Sequence, residues 1–133
     1  GADQVAQWMR DEGWEAVVAP IPAHFIHMDA LVVPIAPKLA VACVDALEGW
    51  VLDWLRSKGF DLVEVPYREC AMNLGVNLVS LGNDRILSMS QSVELNKRLE
   101  SLGFKVHAPD MSMFTFGGGG VHCLSQALHR EPV

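Results

Sequence analysis

Cys123 follows an unbroken run of four glycines, Gly117 to Gly120, then Val121 and His122. A glycine run is costly in backbone entropy, and it is explained where the chain turns sharply or brings its backbone close to a ligand. A flexible loop is the plainer reading, and a free cysteine is more often a buried packing residue than a reactive one. A thiol in a ligand-facing turn can act as a nucleophile once it ionises. Cys43 and Cys70 lack any such setting and read as structural. His27 and Asp29, two residues apart, would share one face of a strand. That would put an imidazole able to move a proton beside a carboxylate able to hold a cation. A metal site competes for this pair, but no third ligand has suitable spacing, and no metal is expected. His24, His107, His122 and His129 read as structural or solvent-facing, with the His122 ring turned away from the Cys123 it borders.

These residues are spaced by a degenerate repeat. Three segments align: Met9-RDEGWEAVVA-Pro20, Leu55-RSKGFDLVEV-Pro66 and Leu99-ESLGFKVHA-Pro109. Each reads as helix end, glycine, aromatic, strand and proline. Gly13, Gly59 and Gly103 fall where a helix stops in the left-handed conformation that glycine adopts freely. Their separations are 46 and 44 residues, enough for one supersecondary unit each. Hairpin signals lie before the later helices: Ala30 to Cys43 around a proline-containing turn, and Val76 to Met89 around Gly82-Asn83-Asp84. The unit is therefore strand, strand, helix, strand, in the α/β (α+β) class. The spacing of Leu47, Val51, Trp54 and Leu55 predicts a helix over Val44 to Lys58, with Trp50 and Trp54 as packing residues, and a shorter helix runs over Ser92 to Leu102.

After each repeat-ending proline, the next strand is expected to open with His27-Met28-Asp29, with Val76-Asn77 and with Val121-His122-Cys123 in turn. If the units surround an approximate rotation axis, these equivalent positions converge, so His27, Asp29, Asn77 and Cys123 could meet at its centre.

Bulk composition narrows the class of function. The chain has 133 residues, half of them hydrophobic and a fifth charged, as expected of one folded domain. Its net charge of −6 and lack of a basic stripe argue against a nucleic-acid partner, because phosphate binding needs clustered Lys and Arg. The longest apolar stretch, Ala30 to Val44, is interrupted by Pro34, Pro37 and Lys38 and is too short to span a bilayer, so no membrane partner is expected. No secretion signal is apparent, and three cysteines without paired spacing read as free thiols, which makes the cytoplasm the default location.

Two motifs carry a family resemblance. His27-Met28-Asp29-Ala30 with Val32-VPIAPKLA-Val41 following, and Gly117-GGGVHCL-Ser125, resemble the superfamily of amidinotransferases, arginine deiminases and dimethylarginine hydrolases. The resemblance covers nearly the whole chain, and the order His-x-Asp followed 96 residues later by a Gly-rich His-Cys is its more specific feature. It implies a partial pentein-type α/β propeller of ββαβ modules, about half of the full ring. Residues 1–26 would be the αβ end of one module, 27–66 and 67–109 two modules, and 110–133 the Gly-rich loop with a final strand bearing the cysteine.

The resemblance also implies a function, guanidine-group modification without a cofactor. Cys123 would attack the central carbon of an arginine-like guanidinium and form a covalent thiouronium. His27 would serve as acid and base, and Asp29, Asn77 and Gly120 would contact substrate. Family members are about twice this length or more, and their first modules supply a further substrate carboxylate and the acid that orients the histidine. Asp3, Asp11, Glu12 and Glu15 lie in or just after a predicted helix and are expected to be solvated. An incomplete ring leaves open edges, so a homo-oligomer or a separate N-terminal partner is expected to complete it. The alternative is a catalytically incomplete member that acts as a binding or assembly protein or has no activity. A third reading, from the same fold, is a ribosome-binding anti-association factor, whose role does not require His27, Asp29 and Cys123.

Overall fold

A hairpin, a helix and a parallel return strand occur twice in succession in the computed structural model, which describes residues 1–129. In the first copy, β1 (Val32–Ala36) and β2 (Leu39–Ala42) pair antiparallel, α2 (Gly49–Ser57) crosses over, and β3 (Asp61–Glu64) returns parallel to β2. In the second, β4 (Val79–Gly82) and β5 (Arg85–Leu87) form the hairpin, α4 (Val93–Ser101) crosses over, and β6 (Lys105–His107) pairs parallel to β5. The remaining elements are α1 (Ala2–Asp11), a 3-10 turn at Met28–Ala30, α3 (Tyr67–Asn73) and α5 (Ser112–Phe116).

Local sequence accounts for the turns. Asn83 and Asp84 both have positive φ, 49° and 53°, as the tightest hairpin turn requires, and these residue types tolerate it. Lys38, φ 58°, does the same work between β1 and β2. Pro34 lies on β1, an edge strand of its sheet, where a missing N–H is tolerated, and the pairing register shifts just after it. The helix-ending glycines Gly13, Gly59 and Gly103 have φ of 83°, 80° and 96°.

The two three-stranded sheets meet where β1 lies beside β4, and Ser80 Oγ donates to the Ile35 carbonyl across that seam at 2.8 Å. Leu31, Val41, Leu78, Ile86 and Leu99 are fully buried within one apolar cluster fed by both units. Burying such side chains contributes about 1.5–3 kcal/mol each, so the shared cluster, rather than the short strands, holds the two units together.

Four sequence expectations are corrected. Residues 14–20 form no strand, since a strand needs a partner and the described residues contain no hairpin before α1 to supply one. The helix expected from Val44 starts only at Gly49; residues 44–46 are a turn in which Asp45 Oδ2 accepts the Tyr67 amide of α3 at 3.2 Å. Trp50 is exposed rather than packed, its Nε1 donating to Glu48 Oε2 at 2.6 Å. No final strand carries Cys123: residues 121–124 are a turn, and 130–133 lie outside the described residues. Trp54 is half-buried and donates to Glu15 Oε1 at 3.2 Å, while Lys58 Nζ pairs with Glu15 Oε2 at 2.6 Å. Lys58 and then Trp54 hold the Glu15 carboxyl below its usual range, which ties segment 14–20 to α2 through an exposed ion pair.

A Cβ built at Gly103 would meet no atom within 4 Å, so a substitution there tests backbone conformation alone. Gly103→Ala is expected to lower unfolding free energy in urea by about 1–2 kcal/mol, and Gly103→Asn by less, because a short polar side chain tolerates the left-handed region.

Candidate active site

Asn77 is fully buried at the point where the chain enters β4, and every hydrogen-bonding group on its amide is used. Its Oδ1 accepts the backbone N–H groups of His122 at 3.0 Å and Cys123 at 3.2 Å. Its Nδ2 donates to Asp29 Oδ2 at 3.2 Å and to Cys123 Sγ at 3.1 Å. A primary amide has two N–H bonds and two lone pairs, so these four contacts exhaust it. They join three distant segments: the 3-10 turn before β1, the entry to β4 and the turn after the glycines.

The glycine run makes this possible in two different ways. Gly118 has φ of 91° and lets the chain reverse after α5. Gly120 is buried, and a Cβ there would collide with Asn77 Oδ1 and come within 3.0 Å of its Cβ and Cγ. The close backbone approach that the run predicts is therefore an approach to Asn77. The turn is then closed by the Leu124 amide on the Gly120 carbonyl at 3.1 Å and by the Ser125 amide on the His122 carbonyl at 3.1 Å.

Asp29 faces the thiol. Its Oδ2 accepts from Cys123 Sγ at 3.5 Å, from Asn77 Nδ2 and, at 2.8 Å, from His122 Nδ1. Its Oδ1 is buried without a hydrogen-bond partner among the described residues. An unpaired buried carboxylate oxygen is costly, typically about 1–3 kcal/mol or more, so this site is polarised and under-satisfied as it stands. Cys123 is exposed, whereas Cys43 and Cys70 are fully buried. Burial first, and the neighbouring Cys43 second, push the Cys70 thiol up, away from the thiolate form that reacts.

The structure thus brings Asp29, Asn77, Gly120 and Cys123 together. His27 stands apart from them: it is exposed at the start of the 3-10 turn and makes no side-chain hydrogen bond among the described residues. Residues 28–30 form a 3-10 turn, so the alternation that would put His27 and Asp29 on one strand face does not apply. The expectation for His122 is corrected for the same reason. Its ring turns into the site because residues 121–124 are a turn rather than a strand, and only strict alternation would have sent it away. Its place between the glycines and the thiol was the sequence signal available. His24 is exposed and shares a 2.6 Å contact between its Nε2 and the Tyr67 hydroxyl. Asp3, Asp11, Glu12 and Glu15 are exposed.

A thiol and a carboxylate this close repel if both ionise, and a cation between them reverses that balance by favouring both anions. A planar cation with several N–H donors would suit Asp29 through charge-assisted hydrogen bonds, with its central atom within reach of Sγ.

Comparisons with known proteins bear on the sequence and on the fold. The family model for eukaryotic N,N dimethylarginine dimethylhydrolase matches residues 2–130. The protein YkgA of Bacillus subtilis is 30% identical over 118 residues, which are 87% of this chain and 41% of YkgA. The chain thus spans about two fifths of that relative. SxtG, an amidinotransferase from Microseira wollei in the saxitoxin biosynthetic pathway, superposes with a TM-score of 0.81 at 18% identity, over 98% of this chain and 41% of its own. The N-terminal domain of ArgZ, an arginine dihydrolase from cyanobacteria, superposes with a TM-score of 0.76 at 22% identity, over 92% of this chain and 45% of its own. These structural likenesses carry the fold.

Asn77→Ala would leave the backbone amides of His122 and Cys123 without their acceptor and remove one of the three donors to Asp29 Oδ2. It is expected to cost about 2–4 kcal/mol in chemical denaturation, and Gly120→Ala is expected to cost a comparable amount by displacing Asn77. Asn77→Asp, which keeps the acceptor but sets a second carboxylate against Asp29, should be no better tolerated.

Proposed function

The chain belongs to the N,N-dimethylarginine dimethylhydrolase family, within the amidinotransferase and arginine deiminase superfamily, and on that footing we propose that it takes part in covalent modification of a guanidine group. The observation that carries this reading is the pairing of Asp29 with the Cys123 thiol, bridged by one buried amide.

In the proposed reaction the Cys123 thiolate attacks the central carbon of an arginine-like guanidinium, and a C–S bond forms. Asp29 holds the guanidinium N–H groups, and the positive charge of the bound guanidinium favours the thiolate beside it. The tetrahedral adduct expels one nitrogen as an amine, which takes its proton from the His27 imidazolium, and leaves an S-alkyl thiouronium. His27, now neutral, removes a proton from the second nucleophile. Water at this step gives a ureido product and an acceptor amine gives a transferred amidine; in both cases the thiolate is regenerated. Asn77 holds Asp29 and the cysteine turn in register, and Gly120 contributes by leaving room for it. Proton transfer by His27 requires its exposed side chain to close over the substrate.

Residues 1–129 provide one carboxylate at this site, Asp29, and the chain covers 41% of YkgA. The remaining acidic groups, and the rest of a propeller-like ring, are proposed to come from further modules, in a second copy or a separate polypeptide. Trp8 at 62% exposure, Trp14 at 65% and Phe116 at 94% are apolar surfaces for such contacts. Free thiols suit a reducing compartment, and the cytoplasm is the proposed location. A second reading follows from the same facts: a chain whose His27 stays unengaged would bind or assemble without turning over substrate.

Labelling with a haloacetamidine, a cationic guanidine mimic, against the neutral haloacetamide, followed by intact mass, separates the two. The first reading expects a single adduct at Cys123, at least about tenfold faster with the cation, lost in Cys123→Ala and weakened in Asp29→Ala. Equal slow labelling of all three cysteines by both reagents would sink it in favour of the second.

A further inference from the structure

His122 occupies the acceptor that a guanidinium would need. Asp29 Oδ2 already receives three donors: His122 Nδ1 at 2.8 Å, Asn77 Nδ2 at 3.2 Å and Cys123 Sγ at 3.5 Å. A carboxylate oxygen has about two good lone-pair directions, so a cation approaching it must displace one of the three. The other oxygen, Oδ1, is buried and is not open to a ligand arriving from solvent.

The three donors differ in how firmly they are held. Asn77 is fully buried, and its Oδ1 is fixed by two backbone N–H groups, so its Nδ2 cannot swing away without breaking the turn. Cys123 is fixed through the same turn, and its sulfur must stay close to the bound carbon for any reaction to occur. The His122 side chain is 42% exposed, and this single contact is the one side-chain hydrogen bond it makes among the described residues. Rotation about its Cα–Cβ bond moves the ring towards water and gives up this one side-chain hydrogen bond. Whether neutral or protonated, the ring presents Nδ1–H to the carboxylate, so it mimics one N–H of a cationic ligand.

We propose that His122 is an internal placeholder on Asp29, exchanged for the guanidinium when substrate binds, and hence a residue that sets affinity and selectivity at this subsite. The inference rests on the guanidinium-binding role given to Asp29 above. It explains why a carboxylate with one buried, unpaired oxygen is left with its accessible oxygen covered. A ligand gains the site only if its hydrogen bonds to Asp29 outweigh the one from His122. A planar guanidinium can do this with two N–H groups and a full charge, whereas a neutral urea-like product cannot, which would favour product release.

The test follows the imidazole nitrogens of His122 and the backbone amides of Asn77 and Cys123 by 1H–15N NMR during titration with methylguanidine. The expected result is a saturable shift of both amides, in step with movement of the His122 ring signals to the positions they hold in Asp29→Ala, which has no side-chain acceptor for the ring. Saturable amide shifts with the His122 ring unmoved overturn the placeholder and leave guanidinium binding standing. No shift in any of these groups overturns guanidinium binding itself and the placeholder with it. Affinity gives an independent readout: His122→Ala and His122→Gln should bind methylguanidine differently, with Ala tighter than wild type by about two- to tenfold, the net weight of one ordinary intramolecular hydrogen bond. Equal or weaker binding by His122→Ala overturns the proposal.

Discussion

The side chain of Asn77 is the constraint on which the site depends. It is uncharged and fully buried, and it meets its hydrogen-bonding needs by holding the turn at 122–123 with its oxygen and Asp29 with its nitrogen. Leaving such an amide unpaired in the interior would cost several kcal/mol, so wherever Asn77 goes the cysteine turn and Asp29 must follow. Gly120 is glycine because of this amide, since any Cβ there would strike it. The chemistry-bearing side chains are exposed or half-exposed, while the group that arranges them is not.

The scaffold that puts Asn77 in place is built from local rules applied twice. Left-handed glycines stop the helices, and a two-residue turn of Asn83 and Asp84 sets the second hairpin. Parallel return strands then seal each small sheet. Three strands of three to five residues are marginal alone. The apolar cluster shared by Leu31, Val41, Leu78 and Ile86 makes the two units one body, and the 3-10 turn that carries Asp29 hangs from that cluster through buried Ala30 and Leu31. Stability and site geometry are coupled through those few residues.

What surrounds this body is open. Segment 14–20 has the sequence of a return strand without a hairpin beside it, and α1 exposes Val5, Trp8 and Met9. The α5 region exposes Met113 and Phe116. Among the described residues no helix is long and apolar enough to cross a membrane. The site shares that openness: the Cys123 thiol is exposed, the His122 ring lies on Asp29, and His27 stands apart from both.

Motif resemblance pointed to the superfamily, while residue types and spacings carried the ββαβ order and the left-handed glycines through local backbone preference and grouped Asp29, Asn77 and Cys123 through the repeat, although with His27, which stands apart. They misplaced Trp50, the start of α2 and the direction of the His122 ring. The start of α2 and the His122 ring were read from a strict helical or strand period across residues that form turns, where a period carries no information, whereas Trp50 lies within α2 but on its exposed side. Contacts between segments more than 40 residues apart decided the rest: that Gly120 yields to an amide rather than to a ligand, and that His122 rather than His27 lies on Asp29. These are properties of packing in three dimensions, where a buried polar group must find partners from whichever segments the core brings within reach.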